Sequence, residues 1–128
     1  MKTEKRLLGD IGEDAAASYL KKNRYRIRER NFISGKNEID IIAENREYII
    51  FVEVKTRTYN KSNIERFGSP RLAVDAHKRR CVISAASTYF STLKPKKRIR
   101  FDVIEVYLTD EAEPNVQDIH HIPDAFRT

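Results

Sequence analysis

Cysteine occurs once in the 128 residues, at Cys81, so the chain has neither an internal disulfide framework nor a cysteine-based structural zinc site. No run of about 18 or more apolar residues exists, and Met1-Lys2-Thr3-Glu4-Lys5-Arg6 leads into Leu7-Leu8-Gly9-Asp10, too short an apolar stretch for a signal-peptide core. Membrane spanning and secretion are therefore not expected, and a reducing cytoplasm is the simplest home. Internal repeats, low-complexity tracts and Gly/Ser- or Pro-rich linkers are absent, which leaves one domain over residues 1–128. Histidine is scarce as well. His77, His120 and His121 have no spacing that forms a zinc site with other ligands and read as ordinary surface or core residues.

Charge is what the chain has in quantity. Residues 1–104 carry 24 Lys/Arg against 13 Asp/Glu, whereas residues 105–128 carry one against six, so a basic body precedes an acidic tail within a net charge of +6. A basic body favours a polyanionic partner, because each Lys or Arg docked on a phosphate releases condensed counterions. Composition alone does not separate DNA from RNA.

The apolar positions Leu8, Ile11, Ala15, Tyr19 and Leu20 recur at three- and four-residue steps, which predicts an amphipathic helix ending near Asn23. Alternation over Tyr25–Arg30 predicts a first strand, Ser34–Asn37 a turn, Glu38–Ala43 a second strand, Asn45–Glu47 a tight turn and Tyr48–Lys55 a central third strand. A long loop is expected from Arg57 to Pro70. Ser69-Pro70 then signals the start of a second helix reaching about Thr92 along Leu72, Ala76, Val82, Ile83, Ala86, Tyr89 and Phe90, with Cys81 buried on it. Ile99–Tyr107 is a fourth strand, and Val116–Ile122 an edge strand in the acidic C-terminal extension. The fold class is α/β in the order α-β-β-β-α-β.

In the third strand Ile49, Phe51, Glu53 and Lys55 share one face and Ile50, Val52 and Val54 the other. A carboxylate and an ammonium at the end of an apolar strand are costly where partly buried, which calls for a functional explanation. The tight turn makes strands two and three an antiparallel hairpin, placing Asp40 opposite about residue 52 or 53. Two carboxylates so placed suit a hard divalent cation held through oxygen, with Lys55 positioning or polarising the attacking water.

Asp40 followed by Glu53-Val54-Lys55 resembles the PD-(D/E)xK motif of the restriction-endonuclease-like nucleases, whose core has this element order with a mixed central sheet flanked by helices. More closely, Gly9-x-x-Gly12-Glu13-x-x-Ala16, Asn31, Glu38-Ile39-Asp40, Phe51-Val52-Glu53-Val54-Lys55-x-Arg57, Lys78 and Arg100-Phe101-Asp102-Val103 are similar to the bacterial YraN family, related to archaeal Holliday junction resolvases. The resemblance covers roughly residues 7–107. Asn37 stands where that family usually has Gly, and Ile39 replaces the motif's nominal Pro. The resemblance implies Asp40 and Glu53 as metal ligands, the Val54 carbonyl as a third, Lys55 as the catalytic lysine, Glu13 as an additional acid and Mg²⁺ or Mn²⁺ as the metal. A resolvase-like role further implies a symmetric homodimer.

Arg57, Arg71, Lys78, Arg79 and Lys36 are the expected nucleic-acid contacts, with DNA preferred over RNA, while Tyr59 and Phe67 either stack on bases or anchor the loop. Glu38 reads as an exposed acid, with a contact to the site as the alternative, and Asp102 as a structural partner for Arg100. The leading expectation is a metal-dependent DNA endonuclease. The alternative is a catalytically silent nucleic-acid-binding module or subunit of a DNA-processing complex, and a protein-binding role for the Glu105–Asp124 tail stays open.

Overall fold

The computed structural model describes residues 3–58, 75–94 and 96–127. Helix α1 spans Glu4–Lys22 and is capped by Thr3, whose side chain accepts the Arg6 N–H at 3.2 Å. It starts before the apolar periodicity does, because the cap and the acidic Glu4 rather than any apolar residue add its first turn. It ends as expected at Asn23. Arg24 follows at φ 69°, with its N–H on the Lys21 carbonyl and the Tyr25 N–H on the Leu20 carbonyl, a left-handed closure usually given to glycine.

Five strands form one mixed sheet in the order β1-β2-β3-β4-β5: Arg26–Ser34, Asn37–Glu44, Tyr48–Thr58, Arg98–Leu108 and Val116–Phe126. Only β3 and β4 are parallel, and helix α2, Ala76–Phe90, lies between them in the chain. The expected edge strand is thus a full member of the sheet, paired with β4 from Leu108↔Val116 to Phe101↔Phe126. The β2–β3 turn rests on Asn45, whose Oδ1 accepts the Glu47 and Tyr48 N–H groups at 3.0 and 2.8 Å.

Alternation along β3 sends Ile50 and Val52 into a core with Ala16, Ala17 and Leu20 of α1, and Ile49 and Phe51 into a second core with Val82, Ala85 and Ala86 of α2. Ile41, Ile42, Ile49 and Ile50 are fully buried, each worth on the order of 1.5–3 kcal/mol. Slipping β2 along β3 by one residue would reverse the faces of all of them, so the register holding the acidic residues is fixed by apolar burial.

Three expectations change. Helix α2 begins at Ala76 behind an extended Asp75, which accepts the Lys78 N–H at 2.8 Å; the Ser69-Pro70 start and Leu72 lie outside the described residues. Cys81 is half-exposed rather than buried, because the helix turns Val82, Ala85 and Ala86 inward. Strand β3 runs on through Arg57 and Thr58, so Arg57 belongs to the sheet and not to a loop.

Candidate functional site

The β2–β3 ladder runs from Glu44↔Ile49 to Ile41↔Val52. One residue further, the side chain of Asp40 takes over from the backbone, and its Oδ2 accepts the Val54 N–H at 2.8 Å. On the other side, Asn31 falls opposite Asp40 between the pairs Arg30↔Ile41 and Phe32↔Ile39 and adopts φ 53°. The pleat is interrupted here: Ile39 and Ile41, two residues apart, enter opposite cores. A local distortion of the central hairpin therefore inserts the Asp40 carboxylate beside the end of β3.

Glu53 sits there, 5% exposed. Its Oε1 lies 3.6 Å from Lys78 Nζ and 3.9 Å from Lys55 Nζ, while its buried Oε2 has no hydrogen-bond partner. Burial first, and the Asp40 charge second, push the Glu53 carboxyl up to about 7 against the pull of both lysines. Burial also raises Asp40, opposed by the Val54 N–H and Lys78. Protonating Glu53 would let the two carboxyl groups share a hydrogen bond, one way of resolving the conflict.

Glu13 reaches the same place from α1. That helix approaches β3 so closely at Gly12 that a Cβ there would stand 1.9 Å from Thr56 Oγ1 and 2.8 Å from Thr56 Cβ, so glycine is required by space. Burial and the Asp40 charge raise Glu13, whereas Arg30, at 3.5 Å, and the Asn31 side chain hold it down. A groove of about 600 Å³ opens beside these groups, lined among others by Lys5, Glu13, Glu38, Asp40, Val54 and Lys55. Glu38 is half-buried on its wall rather than exposed.

The structure thus brings together Asp40, Glu53, Val54, Lys55 and Glu13, and adds Lys78 to them. Sequence reasoning placed Lys78 among phosphate contacts; a capped helix packed mainly over β2 aims it at the Glu53 carboxylate instead. The other expected contacts scatter. Arg57 donates from Nε to the fully buried Glu105 at 3.2 Å, and the Arg79 guanidinium lies 5.9 Å from the centre of the Phe126 ring. Lys36 is exposed at the β1–β2 turn, while Arg71, Tyr59 and Phe67 lie outside the described residues.

Two carboxylates and a backbone carbonyl are hard oxygen donors suited to Mg²⁺ or Mn²⁺, and the unpartnered Glu53 oxygen is the kind of atom a cation satisfies. No group of three or more His, Cys, Asp and Glu among the described residues is arranged to hold a metal, so water and substrate oxygens would have to complete the shell. The residues fit a cation on those terms.

A second buried acid lies toward the other end of α1. Asp102 accepts a two-pronged contact from Arg100 at 2.8 and 2.7 Å, the Asp124 N–H at 3.0 Å, and a 2.7 Å contact from His121 Nε2, whose Nδ1 meets the Tyr19 hydroxyl at 3.0 Å. The expected structural role for Asp102 holds, and His121, read from the sequence as an ordinary surface or core histidine, ties β5 to α1 through it.

Among the described residues no helix is long and apolar enough to cross a membrane. Comparison with known proteins places the site in a family: the model described as "Uncharacterised protein family UPF0102" matches residues 12–106, which include Gly12, Glu13, Asp40, Glu53, Lys55 and Lys78. A UPF0102 protein of Caldanaerobacter subterraneus subsp. tengcongensis is 42% identical over 126 residues, covering 98% of each chain. One from Clostridium beijerinckii is 43% identical over 128 residues, covering 99% of this chain and 98% of its own, and one from Trichlorobacter lovleyi is 44% identical over 125 residues. The chain belongs to the UPF0102 family.

Proposed function

We propose that this UPF0102 chain is a restriction-endonuclease-like, metal-dependent phosphodiesterase acting on DNA. The observation that carries the reading is the buried, unpartnered Glu53 oxygen beside Asp40, with two lysines at its edge. Buried polar atoms are nearly always satisfied, and the exceptions concentrate where a ligand or a reaction supplies the partner. The resemblance to the PD-(D/E)xK motif and the YraN family falls on these same residues.

In this reading Asp40 and Glu53, with the Val54 carbonyl, hold Mg²⁺ or Mn²⁺. A bound cation would supply charge stabilisation at the scissile phosphate and a lowered pKa for water. Asp40 is held in place by the Val54 N–H, which fixes its carboxylate beside Glu53 at the groove. Lys55, about one-third exposed at the mouth of the groove, orients the attacking water and meets the phosphate. Lys78 offsets the negative charge that two carboxylates would otherwise concentrate. Glu13, 3.5 Å from Arg30, is a proton acceptor at the groove wall.

A second reading, a catalytically silent nucleic-acid-binding module, has one observation in its favour: both lysines already lie against Glu53 Oε1 and partly neutralise it without a metal. The test is to incubate wild-type protein and Glu53→Ala with labelled junction, flap, duplex and single-stranded DNA in Mg²⁺, Mn²⁺ or chelator. Cleavage that needs both metal and Glu53 is expected; binding without turnover under every metal would move the assignment to the silent module.

A further inference from the structure

Strand β3 starts at Tyr48, five residues before Glu53, so at about 3.3 Å per residue its beginning is roughly 17 Å from the carboxylates. Two grooves meet there, of about 500 and 470 Å³, sharing Tyr48 and Arg100 as common walls. Arg100 is itself held, forked on Asp102 and 5.2 and 5.7 Å from the centres of the Tyr48 and Tyr25 rings, so the floor is rigid. Around this floor stand Arg24, Arg46 and Arg98, all exposed and in no ion pair among the described residues.

A charge cluster is ordinarily just a solvated face, and Glu47 and the Arg127–Asp124 pair dilute this one. Two features separate it from an ordinary face. The arginines come from three different places in the chain, after α1, between β2 and β3, and at the start of β4, and converge on one pair of grooves with aromatic walls. And Arg24 occupies the left-handed position that closes α1, where glycine is the low-energy residue and a longer side chain is unfavourable by about 1 kcal/mol.

We infer that Arg24, Arg46 and Arg98 form a second nucleic-acid contact, gripping the phosphodiester backbone at the end of β3 opposite the carboxylates. The inference takes its ligand class from the proposed function but does not depend on cleavage. Arginine suits it because its planar fork matches phosphate oxygens in pairs.

The test is fluorescence anisotropy with labelled single-stranded and duplex oligonucleotides in chelator, repeated over a series of salt concentrations. The triple substitution Arg24→Ala, Arg46→Ala and Arg98→Ala is expected to weaken binding tenfold or more and to flatten the salt dependence by about 0.7–0.9 per arginine. Arg80→Ala, which removes the same charge from an exposed position on α2, leaves the slope unchanged. The two oligonucleotides show whether a single strand or a duplex is held. Unchanged affinity and slope in the triple variant overturn the inference, as does wild-type protein that binds neither oligonucleotide at low salt. Glu53→Ala separates the two readings: bound but uncut DNA in that variant speaks to the carboxylates alone, and lost binding in the triple variant to this surface alone.

Discussion

Two buried acidic centres in this sheet differ in the supply of hydrogen-bond donors, and in the like charge of Asp40 that only Glu53 faces. At Asp102 burial alone would raise the carboxyl, yet His121, Arg100 and the Asp124 N–H outweigh it and bring the group below the ordinary aspartate range. At Glu53 the balance runs the other way, and the carboxyl rises to about 7 with one oxygen left bare. Strand alternation sends the two side chains to opposite faces, Asp102 toward α1 through His121 and Tyr19, Glu53 toward Lys78 of α2. Burial therefore does not distinguish a structural acid from a functional one; satisfaction does. Glu44 supports the rule from a third position, where Arg26, Arg28 and Lys97 within 3.1 Å accompany a lowered pKa.

The largest expected effect breaks the satisfied centre. Asp102→Ala leaves Arg100 and His121 buried without their common partner, and removing one member of such a network typically destabilises by about 3–5 kcal/mol. Urea unfolding should show it directly. Because the Asp102 pKa lies below its unfolded value, its contribution is present above about pH 4 and lost only as pH falls through the folded value, so the deficit should be constant from pH 5 to 8.

Glu53→Gln should act with the opposite sign. The folded pKa of about 7 exceeds the ordinary value of 4.5, so the stabilising protonated form is fully present below about pH 4.5 and is lost as pH rises through 7. Wild-type stability should therefore decline by on the order of 2–3 kcal/mol over that window in chelator. Glu53→Gln, permanently neutral, flattens the decline and melts higher than wild type at pH 8. Added Mg²⁺ or Mn²⁺ should recover about 1–3 kcal/mol for wild type at pH 8 and nothing for Asp40→Asn. A Glu53→Gln protein less stable than wild type at pH 8 would mean that Glu53 is satisfied after all, and the contrast between the centres would fail.

Gly12→Ala tests whether the starved centre depends on how closely α1 approaches the sheet. The added methyl collides with Thr56 at its Cβ, which cannot swing aside, and overpacking of this kind is unfavourable by about 1–3 kcal/mol. Thermal melts should show that loss, and any cleavage should fall further than stability explains, because Glu13 follows Gly12 directly. Thr56→Ala combined with Gly12→Ala should restore part of both.

How much of this was legible in the sequence follows from the same physics. Alternation and turn chemistry place Asp40 across from Glu53, because register is set by apolar residues such as Ile41 and Ile50, and those are visible in any sequence. The start of α1 at Thr3 was not legible, since a cap is a single polar residue outside the apolar pattern. Neither was the fate of the basic residues. Lys78, Arg57 and Arg79 look alike in a sequence, yet one faces Glu53, one Glu105 and one the Phe126 ring, because which anion or ring a long side chain meets depends on how separate elements pack. The signal that would have singled out Lys78 is its place one turn after the helix-capping Asp75, over the end of β3.

The smallest effect sharpens the satisfied centre from its rim. Tyr19→Phe removes only the hydroxyl that meets His121 Nδ1, leaving the edge-on packing of the two rings, 5.4 Å apart, unchanged. A single neutral hydrogen bond contributes about 0.5–1.5 kcal/mol, so the loss should be near 1 kcal/mol and far below that of Asp102→Ala. The informative measurement is the double variant with His121→Ala. If Tyr19 acts on Asp102 only by fixing the histidine ring, the second substitution absorbs the first and the two effects do not add. Additive effects would mean that α1 is anchored to the sheet independently of β5, and that His121 is a bystander to the charge balance at Asp102.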